Sequence, residues 1–173
     1  LSTEKLGDPL HPFEAFTASV CNLRPESRGH VHIKTQDSRE PPKIQPDYLS
    51  DPADRKVAAD AIKLTRKIVS SPAMKKFEPE EFKPGIEFAS DDDLAREAGN
   101  IGTTIFHPVG TCKMGPSSDN MAVVDERLKV HGIQGLRVVD ASVMPTITSG
   151  NTNSPTLMIA EKASEMILED APS

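Results

Sequence analysis

A single histidine stands among glycines and small residues near the middle of the sequence, where residues 106–115 read FHPVGTCKMG. The side chain of His107 could act as a general base, as a metal ligand, or as a hydrogen-bonded residue that fixes the turn before Pro108. No second histidine or carboxylate lies two to four residues further along, so the spacing predicts no metal site. Taken alone, the stretch favours the turn residue, which is an ordinary role for a half-buried histidine, and leaves the general base as the functional alternative.

Two later stretches are also rich in small polar residues: residues 138–145 read VVDASVMP and residues 149–156 read SGNTNSPT. Asp140 follows an apolar run, and an acidic residue at the end of a strand either accepts backbone N–H bonds or binds a ligand. Asn151 and Asn153 precede a predicted helix, whose free N–H groups suit a phosphate, a carboxylate or an electron-rich ring edge. Turn and capping chemistry is the alternative for both asparagines.

Alternation and helical spacing predict the elements that come before these stretches. Residues 17–23 and 28–35 are predicted as two strands or a hairpin, because apolar and polar residues alternate in the second of them. A proline-bearing extended connection follows over 41–48. A helix is predicted from Pro52 to Ser70, where apolar residues recur on one stripe: Val57, Ala61, Leu64 and Ile68. Ser90 is predicted to cap a second helix, whose first turn holds three aspartates that suit the positive end of a helix dipole.

The last third of the chain is predicted to hold short strands and a closing helix. Residues 122–124 and 127–130 are predicted as short strands around a turn, and the apolar run 136–139 as a buried strand. The closing helix is predicted over 155–169, with Ser154 as its cap and a proline at the first helical position, where the missing N–H costs nothing. Together these elements predict an α+β fold.

Composition limits the possible partners and the size of the fold. The chain has 173 residues, 27% charged and 36% hydrophobic, which fits one sizeable globular domain or one domain with part of another. No apolar run is long enough to cross a bilayer, so no membrane-spanning segment is expected. The net charge of −6 argues against a nucleic-acid partner, which must have its phosphate charge offset, and favours a small molecule or a protein. Cys21 and Cys112 are expected to be reduced thiols of a cytoplasmic protein.

Taken together, these stretches resemble the C-terminal part of the glucose-methanol-choline (GMC) family of flavoprotein oxidoreductases. HPVGTCKMG at 107–115 and VVDERLKVHGIQGLRVVDASVMPTITSGNTNSPTLMIAEKA at 123–163 are similar to the closing signature of that family in order, composition and spacing. The earlier LRPESRGHVHIKT and PPKIQPDYLSDPAD are similar to the substrate-domain segments that precede this signature. Within the family, the sequence most resembles choline-dehydrogenase-like members and members that oxidise aryl alcohols or hydroxymethylfurfural.

The resemblance implies FAD as the cofactor and a primary alcohol as the small-molecule substrate of a dehydrogenase or oxidase. It implies that His107 is the active-site base and that Asn151 is the second active-site residue, while a hydride passes from the alcohol to N5 of the flavin. The cofactor contacts that it implies are Asp140, Ala141, Asn151, Thr152 and Asn153. Lyase or decarboxylase chemistry on the same fold and a non-catalytic partner subunit are the alternatives.

The dinucleotide-binding motif with which this family begins, GxGxxG, does not occur in the 173 residues. The chain is therefore expected to be a fragment of a two-domain flavoprotein. Residues 1–99 would be a portion of the substrate-binding domain, with an antiparallel sheet, and residues 100–173 would carry the active-site loops and the closing helix of the FAD domain. The expected partner is an N-terminal FAD-binding portion, on the same parent chain or on a separate one. Alone, the chain is expected to bind FAD poorly and to be inactive.

Overall fold

The computed structural model describes residues 2–4 and 7–171. Within these residues the helices are α1 (Pro52–Val69), α2 (Asp91–Ile101) and α3 (Asn153–Glu169), and the strands are β1 (His30–His32) and β2 (Lys43–Gln45). Single 3₁₀ turns occur at Lys75–Phe77 and Ala141–Val143. These helices and a small antiparallel sheet agree with the predicted α+β class.

The chain divides into two compact units, one made of residues 1–22 and 52–101 and the other of residues 23–51 and 102–173. The assignment of residues 1–99 to a substrate domain and of residues 100–173 to an FAD domain stays a prediction.

None of the helices in the described residues combines the length and the apolarity that crossing a bilayer requires. Both cysteines are free thiols, as expected.

In the first unit, α1 packs against α2, and the predicted helix over 52–70 is confirmed to within one residue. The packed face of α1 is not the predicted apolar stripe. Asp54 and Ala59 are buried on this helix, and Leu94 is buried on α2, whereas the large side chains of the stripe are exposed: Val57, Leu64 and Ile68. The buried carboxylate of Asp54 accepts a hydrogen bond from Asn22 Nδ2 at 3.0 Å, so this face is held by a polar contact as well as by packing.

The start of α2 confirms the cap that the sequence predicts. Ser90 Oγ accepts a hydrogen bond from the backbone N–H of Asp93 at 3.1 Å and donates one to Asp93 Oδ2 at 2.7 Å. The pKa of Asp93 is lowered because Ser90, and after it Arg96, hydrogen-bond to the carboxylate. Ser90 and Asp93 thus fulfil each other's hydrogen-bonding needs in the first turn, and α2 begins at Asp91.

The predicted hairpin of residues 17–23 and 28–35 is wrong in its pairing. β1 is only three residues long and pairs antiparallel with β2, with Val31 opposite Ile44, while residues 17–23 form no strand. β2 lies inside the predicted extended connection and holds no proline of its own, so its N–H groups can join the ladder. Residues 17–22 instead belong to the unit of α1 and α2.

In the second unit, the turns of residues 114–143 and helix α3 pack around one small core. Its buried residues are Val124, Leu128, Val143 and Ala163. The predicted strands over 122–124, 127–130 and 136–139 are replaced by isolated bridges, which join Val124 to Val130 and Lys129 to Arg137. The cause is a tight turn in which the Asp125 carboxylate accepts two backbone N–H bonds, each at 2.9 Å, so these groups are not available to a regular ladder.

The closing helix begins earlier than predicted. α3 starts at Asn153, so the prediction of Ser154 as its cap is wrong, and Thr152 takes the cap position without a side-chain bond to the helix. Pro155 is then the third helical residue. The first N–H groups of a helix have no partner within it, so the missing N–H of this proline still costs nothing.

Asp170, which follows α3, ties the end of that helix to three cations. Lys129 Nζ lies 2.6 Å from Asp170 Oδ2, Arg137 Nη2 contacts the same oxygen, and Arg127 Nη2 lies 3.1 Å from Oδ1. Hydrogen bonds from Lys129 and Arg137 lower the pKa of Asp170 to about 2. Arg127 also donates to the Met166 carbonyl at 3.2 Å, which satisfies one of the free acceptors in the last turn.

Candidate active site

The structure brings together His107 and Asn151, the two predicted active-site residues. Asn151 Nδ2 lies 3.3 Å from His107 Nε2, although 44 residues separate the two side chains in the sequence. The other ring nitrogen, Nδ1, lies 2.8 Å from the hydroxyl oxygen of Thr152. Both ring nitrogens therefore find partners in one short loop, and the exposed Asn151 leaves the pair open to a ligand.

A strained backbone precedes the histidine. Phe106 has a φ of 62°, in the left-handed region that non-glycine residues rarely adopt, and its N–H donates to Thr104 Oγ1 at 3.0 Å. Such a conformation costs on the order of 1 kcal/mol and is frequent at functional sites. The chain bends at Phe106, immediately before His107.

The loop after His107 is fixed to the core of its unit. Cys112 N–H donates to the Ser142 carbonyl at 3.0 Å, and Met114 N–H donates to the Val143 carbonyl at 2.8 Å. Val143 is fully buried, so these two bonds fasten the loop to the best-packed part of the unit. Gly110, between the histidine and this anchor, has a φ of 84°, which suits glycine and strains other residues.

Thr152 holds the opposite side of the ring. Its side chain is 7% exposed, and its carbonyl accepts two bonds from Thr156, one from the N–H at 3.0 Å and one from the hydroxyl at 2.7 Å. The start of α3 thus fixes the residue whose hydroxyl meets the imidazole. Sequence reasoning placed Thr152 only among the cofactor contacts, and no local pattern could reveal a bond to a residue 45 positions away.

The partners of His107 bear on which nitrogen of a neutral ring would carry the proton. A side-chain amide nitrogen only donates hydrogen bonds, so the partner of Asn151 Nδ2 must be an acceptor, and in a neutral imidazole that acceptor is a nitrogen without hydrogen. With the amide in this orientation, a neutral ring would carry its proton on Nδ1 and donate it to the Thr152 hydroxyl. The lone pair on Nε2 lies beside Asn151, where it can accept a proton from a bound molecule.

The other predicted cofactor contacts lie at the starts of two helical turns. Asp140 caps the 3₁₀ turn Ala141–Val143, because its Oδ1 accepts hydrogen bonds from the N–H of Ser142 at 2.8 Å and from the hydroxyl of the same residue. This is the non-functional alternative that the sequence left open for Asp140, and it occupies one carboxylate oxygen. Asp140 and Asn153 are exposed, and Ala141 is half-buried. Their contact with a cofactor stays a prediction.

Two features of the loop between these turns fit a polar ligand. α3 has no side-chain cap, so the N–H groups of Asn153 and Ser154 in its first turn are available to an outside acceptor. The hydroxyl of Thr148 is buried and has no hydrogen-bond partner among the described residues, which is unfavourable unless another group supplies one. The polar edge of a flavin has acceptors and donors of this kind. Within residues 2–4 and 7–171, no three metal-binding side chains are grouped closely enough to hold a metal ion.

Comparison with known proteins gives consistent matches. The sequence model of the GMC oxidoreductase family matches residues 25–160. The chain is 45% identical over 153 residues to an alcohol dehydrogenase (acceptor) of Pseudomonas putida, covering 88% of the chain and 27% of that relative. It is 46% identical over 157 residues to an oxygen-dependent choline dehydrogenase of Cronobacter sakazakii, covering 91% of the chain and 28% of that relative.

A solved structure agrees with these relatives. The FAD-dependent oxidoreductase from Chaetomium thermophilum superposes with a TM-score of 0.79 at 30% identity, covering 86% of this chain and 26% of that one. The chain spans 27% to 28% of the length of the two relatives named above. The resemblance seen in the sequence is thereby confirmed, including the likeness to choline dehydrogenases. The chain belongs to the GMC oxidoreductase family, whose members are FAD-dependent enzymes.

Proposed function

We propose that the chain is the C-terminal portion of an FAD-dependent dehydrogenase or oxidase that converts a primary alcohol to an aldehyde. The observation that carries this proposal is the contact between His107 and Asn151, which puts a basic nitrogen and an amide donor side by side at an exposed position. The relatives support the reaction class, because their names are those of an alcohol dehydrogenase and a choline dehydrogenase.

His107 is the base of this reaction. The lone pair on Nε2 accepts the hydroxyl proton of the alcohol, on the edge of the ring that now faces Asn151 Nδ2 at 3.3 Å. The amide N–H of Asn151 then donates to the alkoxide oxygen and stabilises its negative charge. Bound FAD supplies the hydride acceptor. The alcohol loses a proton from its oxygen to His107 and a hydride from its carbinol carbon to the flavin, and the product is the aldehyde.

The residues that would hold the flavin are the predicted contacts at the two helical turns: Asp140, Ala141, Asn151, Thr152 and Asn153. They can meet only part of the cofactor, because the GxGxxG motif that binds the diphosphate is absent from the 173 residues. An N-terminal FAD-binding portion, on the same parent chain or on a separate one, supplies the rest. The term assembled enzyme is used below for this chain together with that portion. Flavin that co-purifies with the 173 residues alone would contradict this arrangement.

The substitution His107→Ala in the assembled enzyme tests the function. Anaerobic reduction of the flavin by a primary alcohol should slow by about 10² to 10⁴-fold, the usual contribution of a general base, while the flavin stays bound. The matched control is His32→Ala, since His32 is exposed on β1. Near-normal reduction in His107→Ala would reject the base. Turnover of a substrate without net flavin reduction would favour lyase or decarboxylase chemistry, and assembly without any turnover would favour a non-catalytic subunit.

A further inference from the structure

The hydroxyl of Thr152 makes no capping bond to α3, although Thr152 occupies the cap position of that helix. A threonine at a helix cap commonly accepts a hydrogen bond from an N–H of the first turn. In α3 that bond is not made, and Thr152 Oγ1 lies 2.8 Å from His107 Nδ1 instead. The start of α3 therefore lacks a capping bond from Thr152, and the imidazole of His107 has a hydrogen-bond partner that is almost entirely buried.

A hydroxyl can accept a hydrogen bond from a protonated Nδ1 or donate one to an unprotonated Nδ1, so the partner of Nε2 decides between the two neutral forms of the ring. Asn151 Nδ2 lies 3.3 Å from Nε2, and an amide nitrogen can only donate, so this contact is a hydrogen bond when the ring proton is on Nδ1 and the Thr152 hydroxyl oxygen accepts it. If Nδ1 lost its proton and Nε2 gained it, the amide donor of Asn151 would face another donor. The two contacts together therefore favour the Nδ1–H tautomer.

We propose that Thr152 is a positioning residue that holds His107 in the Nδ1–H tautomer, so that the Nε2 lone pair is directed to the substrate hydroxyl. The inference rests on the proposed function of His107. When Nε2 takes up a proton, Nδ1 keeps its own, so the bond to Thr152 persists through the proton transfer. A hydroxyl is uncharged, so Thr152 orients the ring without adding the charge that a carboxylate would place beside the imidazolium.

The hydroxyl is itself held by a rigid support. The Thr152 carbonyl accepts both the N–H and the hydroxyl of Thr156, one turn further along α3. Backbone and side chain of the cap residue are thus fixed from opposite sides. A small rotation of an imidazole displaces its reactive nitrogen, and misplacement of a catalytic group lowers the rate even where binding is unchanged.

The test uses Thr152→Val and Thr152→Ser in the assembled enzyme. Valine keeps the shape of threonine and removes the hydroxyl, and serine keeps the hydroxyl. Thr152→Val should lower the limiting rate of anaerobic flavin reduction about 10-fold, the effect of one lost hydrogen bond, with less than about a 2-fold change in the dissociation constant of the alcohol. Thr152→Ser should recover most of the rate. A Thr152→Val enzyme that reduces its flavin at the wild-type rate overturns the proposal.

A spectroscopic readout separates this inference from the activity. In enzyme labelled with ¹⁵N-histidine, the signals of His107 can be assigned by their loss in His107→Gln. The neutral wild-type ring should show a protonated Nδ1 and an unprotonated Nε2, and Thr152→Val should show a mixture of both tautomers. A wild-type ring protonated on Nε2 overturns the proposal, whatever Thr152→Val shows. If His107→Ala leaves flavin reduction intact while the tautomer is as expected, the proposed function fails and the positioning of the ring stands.

Discussion

The side-chain amide of Asn151 lies 3.3 Å from Nε2 of His107, and the neighbouring Thr152 holds Nδ1 of the same ring at 2.8 Å. Consecutive residues of one loop thus contact opposite edges of a single imidazole. One contact lies at an exposed residue and the other at a buried one. The exposed edge can exchange its partner for a substrate, while the buried edge keeps the ring in place.

The first prediction concerns the donor on the exposed edge. In Asn151→Asp, a carboxylate that cannot donate replaces the amide, so it should draw a proton onto Nε2 and repel the alkoxide. We expect flavin reduction in the assembled enzyme to slow by about 100-fold or more, as for the loss of one donor to a developing oxyanion. The measurement is stopped-flow absorbance of the flavin under anaerobic conditions.

A matched control for this change is Asn120→Asp, which makes the same substitution at an exposed turn of the same unit. It should reduce its flavin at the wild-type rate. An equal loss of rate in both variants would mean that added negative charge, and not the missing donor, causes the effect.

The helices and the cap of α2 could be predicted from the sequence, because the physics that fixes them is local. The spacing of Val57, Leu64 and Ile68 predicted α1 correctly, and Ser90 marked the start of α2. The packed face of α1 could not be predicted, since periodicity shows only that a stripe is apolar and not what lies against it. The same limit explains the wrong hairpin, where the partner of β1 proved to be β2.

The candidate site was predictable to a smaller extent. Family resemblance singled out His107 and Asn151, and the structure adds that their side chains meet. The residues alone left a turn histidine and capping asparagines as the simpler alternatives. The bond between Thr152 and the ring depends on how two segments far apart in the chain fold together, and short-range patterns contain no information on such a contact.

A second prediction concerns the acid stability of the C-terminal helix. Asp170→Asn should lower the thermal midpoint at neutral pH, because Lys129 and Arg137 would then face a neutral amide. The folded pKa of about 2 lies below the ordinary value of 3.8. A carboxylate with a lowered pKa stabilises the fold above the unfolded value, and this contribution is lost as the pH falls.

The difference in midpoint between wild type and Asp170→Asn should therefore shrink as the pH is lowered from about 4 to about 2. Calorimetry of the assembled enzyme over this range checks it, and added salt should reduce the difference because the cluster is partly exposed. Glu161→Gln, on an exposed position of α3, is the control and should change little. A difference that stays constant down to pH 2 would show that the charge of Asp170 is not the cause.

The last prediction separates stability from catalysis with two glycines. Gly110 and Gly132 both have positive φ, 84° and 76°, so alanine at either position should cost about 1 kcal/mol of unfolding free energy. They differ in place. Gly110 lies in the loop that carries His107, and a Cβ there would make an ordinary contact with the Met144 carbonyl at 3.4 Å. Gly132 lies outside that loop, and a Cβ there meets nothing within 4 Å. Urea unfolding should show similar losses for the two variants.

Only Gly110→Ala should slow flavin reduction, by about 10-fold, because an alanine that relieves its positive φ shifts the loop and moves Nε2 of His107 relative to Asn151. A misplaced base transfers protons poorly. Equal slowing in Gly132→Ala would assign the loss of rate to general destabilisation. A Gly110→Ala enzyme that is less stable but reduces its flavin at full rate would show that the anchoring at Cys112 and Met114 positions the histidine regardless of the backbone at residue 110. The ratio of the two rates, measured at equal fraction folded, thus reports directly on whether loop geometry sets the position of the base.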